Sequence, residues 1–320
     1  MASIPRVGYG ITIPFDGVPL AEHRSWLEEL VDLGYTDAWS AEADGTDAFT
    51  PLALAAAWAP SLRLGTAIVP AFTRGPALVA QSAAALADAA PGRFVLGVGT
   101  SSDVIVERWN GIPFEEPYRR TRDLVRFLRV ALTGEKVDQE YDTFRVRGFR
   151  LGRPPAVAPP ILVAALRPGM LRLAGREGDG AVINWLGSAD VPKVVAEVGP
   201  GKEIVARVFV FPSDNRDLVL QVGRRMVAAY LNVPVYAAFH EWLGRGPLLA
   251  EMWAAWKAGD RKAALEAIPE QVVDDLVLSG PPAAVKKQVQ AYLDAGVTTV
   301  ALAVVPVGLD LRQVVQDLAP

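Results

Sequence analysis

GRFVLGVGTSSDVIVERWNG, residues 92–111, decides how the rest of the chain is read. An apolar run ends in two glycines one residue apart, Gly97 and Gly99, and four polar residues follow: Thr100, Ser101, Ser102 and Asp103. Glycines just past a strand can let a backbone approach a phosphate and pass it to a helix N-terminus, the device of dinucleotide-binding open sheets. That device needs a third glycine at the helix start and an acidic residue about 20 positions further on. Here the third position is Ser102. Two readings stay open. In one, small residues let a strand end pass close to its neighbours before a helix capped by a Thr100-x-x-Asp103 box. In the other, the same glycines clear space for a ligand.

Working outward, similar β-rich apolar runs recur, most of them followed by a segment of helical period. They are VGYGITI (7–13), DAWSA (37–41), LRLGTAIV (62–69), RFVLGV (93–98), PILVA (160–164), GAVIN (180–184), IVARVFVF (204–211) and TTVALAVV (298–305). After the first, Trp26, Leu27, Leu30 and Val31 repeat at helical spacing and stop at Gly34. After the last, Leu311, Val314, Val315 and Leu318 are spaced to face a core. Continuous apolar strands alternating with helices specify a parallel sheet buried on both faces, and eight of them favour closure into a (β/α)₈ TIM barrel. An open doubly wound sheet is the alternative. Such barrels take about 250 residues, so some of the 320 residues are insertion. Residues 134–155, with Tyr141, Phe144 and Val146 alternating between turn residues, predict a hairpin. Residues 212–280, between strands seven and eight, predict extra helices rich in aromatics, and the whole of 1–320 reads as one domain. The insertion tryptophans, Trp242, Trp253 and Trp256, are expected in a core rather than as a substrate shelf.

Composition narrows the function classes. The chain is 51% apolar with a net charge of −4 and no basic cluster interleaved with aromatics, which argues against a nucleic-acid footprint. It has no cysteine, so thiol nucleophiles, iron–sulfur clusters and disulfides are excluded, and redox chemistry would need a bound cofactor. Only His23 and His240 supply imidazole, with no carboxylate at zincin-like spacing, so no metal site is expected. His23 is expected to be structural; His240 is read either as a partly buried structural residue or as part of a lid. The start, MASIPRVGYGITIPFDG, has no charged region followed by an apolar segment of signal length, and no run approaches membrane-spanning length. The expectation is a cytoplasmic protein without a membrane contact.

In a TIM barrel the chemistry sits at the C-terminal strand ends. Those ends carry Glu42, Asp44 and Asp47 in SAEADGTDAF, then PAFTRGP, GTSSD, ALRPGM and NWLG. Nucleophile–base pairs are scarce, and the backbone amides, hydroxyls and few carboxylates suit a cradle for a large cofactor. The helix opening at ALRPGM offers unpaired N–H groups, a first-turn Pro168 and Arg167 for an anion, Arg167 reading equally as a surface cation. Glu107 is expected to pair with Arg108 or Arg119.

The set SAEADGTDAFTPLALAAA, LRLGTAIVPAFTRGP, GRFVLGVGTSSDVIVERWNGIPFEEPYRRTRD and LVAALRPGMLRLAGREGDGAVINWL resembles the bacterial-luciferase-like superfamily, closest to oxidoreductases that use coenzyme F420. The resemblance implies hydride transfer between the deazaflavin and a small-molecule substrate, in a homodimer. It implies a non-prolyl cis peptide at Ala67–Ile68 under the ring, with Gly99, Thr100 and Ser101 along the cofactor side chain. Ala164, Ala165, Leu166, Arg167 and Gly169 are expected around its phosphate, Asn184 at the next strand end, and Arg74 near its acidic tail. Relatives often carry a glycine where Arg167 stands. Glu42 matches a position where deazaflavin enzymes place a histidine or an acid, and could carry a proton, burial raising its pKa; Asp44 and Asp47 read as solvated or helix-capping carboxylates. The acid that sugar-phosphate-oxidising relatives place after strand four is Ser102 here. Two rival readings are a flavin mononucleotide (FMN) monooxygenase on the same barrel and a non-catalytic flavin-binding barrel.

Overall fold

The computed structural model describes residues 7–305 and 307–320; the sequence reading that bears on residues 1–6 lies outside them. β1 (Gly8–Thr12), β2 (Asp37–Ser40), β3 (Arg63–Thr66), β5 (Phe94–Gly99), β8 (Ile161–Ala164), β9 (Gly180–Asn184), β10 (Glu203–Phe211) and β12 (Thr299–Val304) pair in parallel in that order. β12 returns to β1, so the barrel is closed and the open-sheet alternative falls. The third strand is broken: after Ala67–Ile68, whose peptide is cis, it resumes as β4 (Val69–Pro70) against β5. β6 (Val137–Glu140) and β7 (Arg145–Phe149) make the antiparallel hairpin anticipated at 134–155. β11 (Val277–Ser279), which the sequence reading did not anticipate, adds a parallel strand to the end of β10.

Helices α1 (His23–Asp32), α2 (Phe49–Trp58), α3 (Pro76–Ala89), α4 (Pro117–Ala131), α5 (Pro168–Glu177) and α6 (Val191–Val198) follow the first six barrel strands. α7 (Arg216–Leu231), α8 (Pro234–Leu243), α9 (Gly246–Lys257), α10 (Arg261–Glu266) and α11 (Glu270–Leu276) form the insertion, before α12 (Pro282–Asp294) and α13 (Leu311–Asp317) complete the ring. Proline opens α3, α4, α5, α8 and α12, where its fixed φ suits the first turn and its missing N–H removes an orphan donor. α4 shows the amphipathic logic: Leu124, Val125, Phe127, Leu128 and Ala131 are buried, while Arg119, Arg126 and Arg129 stay out and pair with carboxylates.

Alternate strand residues face the bore, and Trp39, Val95, Leu162, Val182, Val205 and Ala301 close it as one apolar layer. Trp39, 1% exposed, is the plug. Gly65 makes room for it, since a Cβ there would lie 2.1 Å from the indole. Below the plug, Arg63 pairs with Glu203 at 2.5 Å and reaches Asp37 at 3.7 Å, closing the N-terminal end. The insertion has its own core of Leu231, Leu249, Met252, Ile268 and Val273, which Phe209, Phe211 and Ala303 join to the barrel mouth. Trp253 and Trp256 pack on this core and Trp242 stacks on Phe239, as expected of structural tryptophans.

Candidate functional site

The floor of the mouth is made of small groups. Ala67, Ile68 and Ala164 lie on the apolar layer that holds Trp39. Gly99 stands between them: a Cβ there would sit 2.7 Å from the Ala164 Cβ and 3.2 Å from Ile68. Gly97 answers to a different constraint, because its Cβ would lie 2.0 Å from the Thr66 carbonyl oxygen. Where β3 leaves the ladder, the Thr66 hydroxyl takes over: it accepts from Gly97 N–H and donates to Gly97 C=O, each at 2.8 Å. The two glycines thus serve close approach of strand ends, and no dinucleotide loop is present. Three backbone bonds pin the break: Ala67 N–H to Ser40 C=O, Glu42 N–H to Ile68 C=O and Ala71 N–H to Gly99 C=O.

The loop after β2 differs from the expectation of an isolated buried acid. Arg74 Nε and Nη2 donate to both Glu42 oxygens at 2.8–3.1 Å, and the Arg74 guanidinium lies 5.1 Å from the Phe49 ring centroid. Arg74 is therefore spent on Glu42 and, at 3.5 Å, on Asp47, and is not a free cation for an acidic cofactor tail. Asp47 caps α2 by accepting from Phe49 and Thr50 N–H; burial opposes its charge, but these bonds and Arg74 hold its carboxyl below the usual range. Asp44 is an exposed loop carboxylate. Glu42, Thr46, Asp47, Thr73, Arg74 and Asn110 wall a hollow of about 260 Å³ between the ends of the second, third and fourth barrel strands. Two other surface hollows, beside α1 and beside the hairpin, lie away from the strand ends.

After β5 the Thr100-x-x-Asp103 box does not form. Thr100 Oγ1 donates to the Ser101 carbonyl, Ser101 adopts φ 62°, and it is Ser102 Oγ that accepts from Ile105 N–H at 3.3 Å. The positive φ of Ser101 turns the chain too early for Thr100 to reach the helix. That helix is π-wound over Val104–Trp109, a form often found near functional sites. Arg108 pairs with Asp103 and Arg119 with Glu116, so Glu107 has neither expected partner.

At the fifth strand end Ala164 is on the floor, but Ala165 is buried and its N–H is committed to Val182 C=O, so its amide does not serve a ligand. Leu166 packs on the main core. Arg167 is the N-cap of α5, exposed, with no side-chain cap and no ion pair among the described residues. A cation is the wrong charge for a helix N-terminus unless an anion sits between them. The N–H groups of Gly169 and Met170 precede the first intrahelical acceptor, and nothing lies within 4 Å of where a Gly169 Cβ would be.

The side of the mouth opposite the floor was not foreseen. Arg207 of β10, level with Asn184 of β9, points into the mouth from an apolar strand. No carboxylate lies within ion-pair distance of it among the described residues, and its buried Nε has no acceptor. Its guanidinium is 4.8 Å from the Phe209 ring centroid. Trp185 packs at a tilt against Phe209 at 4.4 Å and Tyr230 at 4.6 Å between ring centroids, Tyr236 stands edge-on to Tyr230, and Asn184 Nδ2 donates to the Tyr236 hydroxyl at 3.4 Å. Trp185 holds φ 53° and its buried Nε1 also lacks an acceptor. The missed signal was parity: in IVARVFVF, Arg207 shares the inward phase of Val205.

The histidines divide as the sequence suggested. His23 is buried, Nε2 accepting from Phe15 N–H at 2.8 Å and Nδ1 facing Pro19 C=O. His240, on α8, is fully buried and makes no well-formed hydrogen bond; burial, then the Arg245 charge, holds its pKa down to about 3, against a smaller upward pull from the Trp185 backbone. Arg245 itself ties the insertion to the barrel through Asp190 at 2.7 Å and braces α11 within the insertion through Asp275 at 2.9 Å. Among the described residues no three His, Asp or Glu cluster in a way that could hold a metal, and no helix is long and apolar enough to cross a membrane.

The chain is 26% identical over 310 residues to 5,10-methylenetetrahydromethanopterin reductase of Archaeoglobus fulgidus, covering 92% of each. It is 30% identical over 245 residues to F420-dependent glucose-6-phosphate dehydrogenase of Rhodococcus hoagii, covering 73% of this chain and 70% of that one. In fold it is similar to the solved coenzyme F420-dependent tetrahydromethanopterin reductase of Methanopyrus kandleri, with a TM-score of 0.76 at 20% identity over 98% of this chain and 97% of that one. The family model described as luciferase-like monooxygenase matches residues 7–299, nearly the whole barrel. The chain belongs to the luciferase-like monooxygenase family.

Proposed function

We propose that this enzyme moves hydride between coenzyme F420 and a small organic substrate held at the barrel mouth. The observation that carries the reading is the floor of Ala67, Ile68, Gly99 and Ala164, where a single added Cβ at Gly99 would collide with Ala164. Such a surface admits a flat tricyclic ring, and the names of the relatives from Rhodococcus hoagii and Methanopyrus kandleri support the deazaflavin over other rings. When bound, the deazaflavin supplies a ring carbon that accepts or gives hydride and reacts poorly with oxygen. In this reading Thr100 and Ser101 lie along the cofactor side chain. Arg167 and the Gly169 N–H take its phosphate, an anion between them relieving the mismatch of a cation at a helix N-terminus. Asn184 borders the ring from the next strand end. Glu42 is the acid–base group. Its oxygens face Arg74, so it serves as an ion-paired carboxylate that accepts a proton as hydride leaves the substrate. A homodimer belongs to the same reading on the resemblance alone.

An FMN monooxygenase on the same floor is the rival, and the family description favours it. Side-by-side fluorescence titrations with coenzyme F420 and FMN, followed by oxygen uptake with the reduced forms, decide between them. Tighter binding of F420 and no oxygen consumption are expected, and Arg167→Ala should weaken F420 about 3- to 10-fold, the effect shrinking as salt is added. Tighter binding of FMN with substrate-dependent oxygen consumption would make the enzyme a monooxygenase.

A further inference from the structure

Among the described residues, the other buried and half-buried arginines of the core are satisfied. Arg63 has Glu203 and Asp37, Arg122 has Asp123 and Asp142, and Arg245 has Asp190 and Asp275. Arg120, which makes no ion pair, donates to the Ala71 and Thr143 carbonyls. Arg207 alone among them has neither a carboxylate nor a carbonyl among the described residues, although its Nε is sealed from solvent. Burial pushes its pKa down, but a guanidinium stays charged in proteins, so a largely buried cation is left without a paired counter-ion.

Position says what it waits for. In the closed strand order, β10 stands four strands from β3 in either direction, directly across the bore from Ala67–Ile68. A planar ring on that floor presents its other face to Arg207. The charged and titratable groups that act on Arg207 are Tyr230, Tyr236 and, more weakly, the exposed Asp16; no second cation is among them. Tyr236 accepts from Asn184, which leaves its own O–H proton free to donate. Trp185, Phe209, Tyr230 and Tyr236 pack as one aromatic cluster on this side, with the Phe209 ring 4.8 Å from the Arg207 guanidinium.

We propose that Arg207, helped by the Tyr236 hydroxyl, is the subsite for a carboxylate of the substrate, and that the substrate is a small monoanionic carboxylate with an apolar or aromatic body. This rests on the reading that the ring lies on the opposite floor. One guanidinium offers a planar fork that matches one carboxylate and neutralises one charge. A phosphate dianion would keep an unbalanced charge among aromatic walls, where charge is poorly solvated. Aromatic faces around the fork suit a flat or apolar body better than a sugar.

Calorimetric titration of the full chain with benzoate, acetate and inorganic phosphate, with and without coenzyme F420, tests the proposal beside fluorescence titration of F420 itself. Saturable binding of one benzoate is expected, tighter than acetate and much tighter than phosphate. Arg207→Met should weaken benzoate at least 10-fold, Arg207→Lys and Tyr236→Phe about 3- to 5-fold, and all three should leave F420 affinity within 2-fold. The lysine and phenylalanine variants keep the test standing if the methionine variant does not fold. The proposal is overturned if benzoate does not bind, if these variants bind it as well as the parent, if phosphate binds better, or if the loss falls on F420 instead. Arg207-dependent benzoate binding in a chain that fails to bind F420 would sink the hydride-transfer reading and leave the carboxylate subsite in place.

Discussion

The two sides of the barrel mouth are built on opposite rules. On the side of the second to fourth barrel strands the charged groups are paired, Glu42 with Arg74 and Asp47 with Arg74 and the first turn of α2, and Thr66 bonds both backbone groups of Gly97, although Trp39 Nε1, Ser40 Oγ, Thr46 Oγ1 and Thr73 Oγ1 are buried there without partners. On the side of the sixth and seventh strands, where the insertion packs, Arg207 Nε, Trp185 Nε1 and both nitrogens of His240 are buried without acceptors or donors. A wall whose charges are paired needs no counter-charge from outside. A cation left without one is costly in the free protein, an orphan buried group amounting to about 1–3 kcal/mol, and is explained when a ligand completes it. The floor reads as support and the far wall as recognition.

That contrast can be broken first at Gly97. On the side of the paired charges, Gly97→Ala, which drives a Cβ to within 2.0 Å of a backbone carbonyl oxygen, should destabilise by about 3 kcal/mol or more in denaturant unfolding. Gly152→Ala, where nothing lies within 4 Å, should stay within about 0.5 kcal/mol and serves as the control. Equal and small effects would mean that the Thr66–Gly97 contact yields easily.

Chemistry on the same side comes next. Glu42→Gln keeps shape and part of the contact with Arg74, and should lower turnover about 100-fold while F420 affinity changes less than 2-fold. Unchanged turnover in steady-state assays would leave Glu42 as a brace for the loop and pass the proton to water or substrate.

The far wall is sharpened by pH. His240 is neutral when folded, its pKa lowered from 6.5 to about 3, whereas the unfolded chain takes up the proton near 6.5. Since the unfolded state binds more protons in that interval, stability is full above pH 6.5 and falls as pH drops toward 3, by up to about 1.4 kcal/mol per unit. His240→Leu should flatten that part of the unfolding profile. An unaltered slope in the variant would mean that other groups carry the acid sensitivity.

The strands were legible because barrel strands buried on both faces announce themselves as unbroken apolar runs, and RFVLGV and GAVIN need nothing beyond their own residues to be read. The break in LRLGTAIV was reached only through resemblance; its hydrogen-bonded replacement at Thr66 depends on a partner 31 residues away. The pairing of Glu42 with Arg74, 32 residues apart, and the loss of the Thr100 cap to the turn at Ser101 likewise follow from how loops meet, which local pattern does not record. Arg207 was visible as a letter but not as an orphan. Whether a cation inside a barrel is paired depends on which strands close beside it, and that is a property of the whole ring.

The indole of Trp39, seated against Gly65 above the Arg63–Glu203 pair, gives the molecule a single door. Nothing can pass through from below, so whatever reaches the floor enters and leaves by the mouth. On the proposed reading, a ring on Ile68 and Gly99 and a carboxylate at Arg207 across the bore would share that one entrance, and neither could leave through the far end of the barrel.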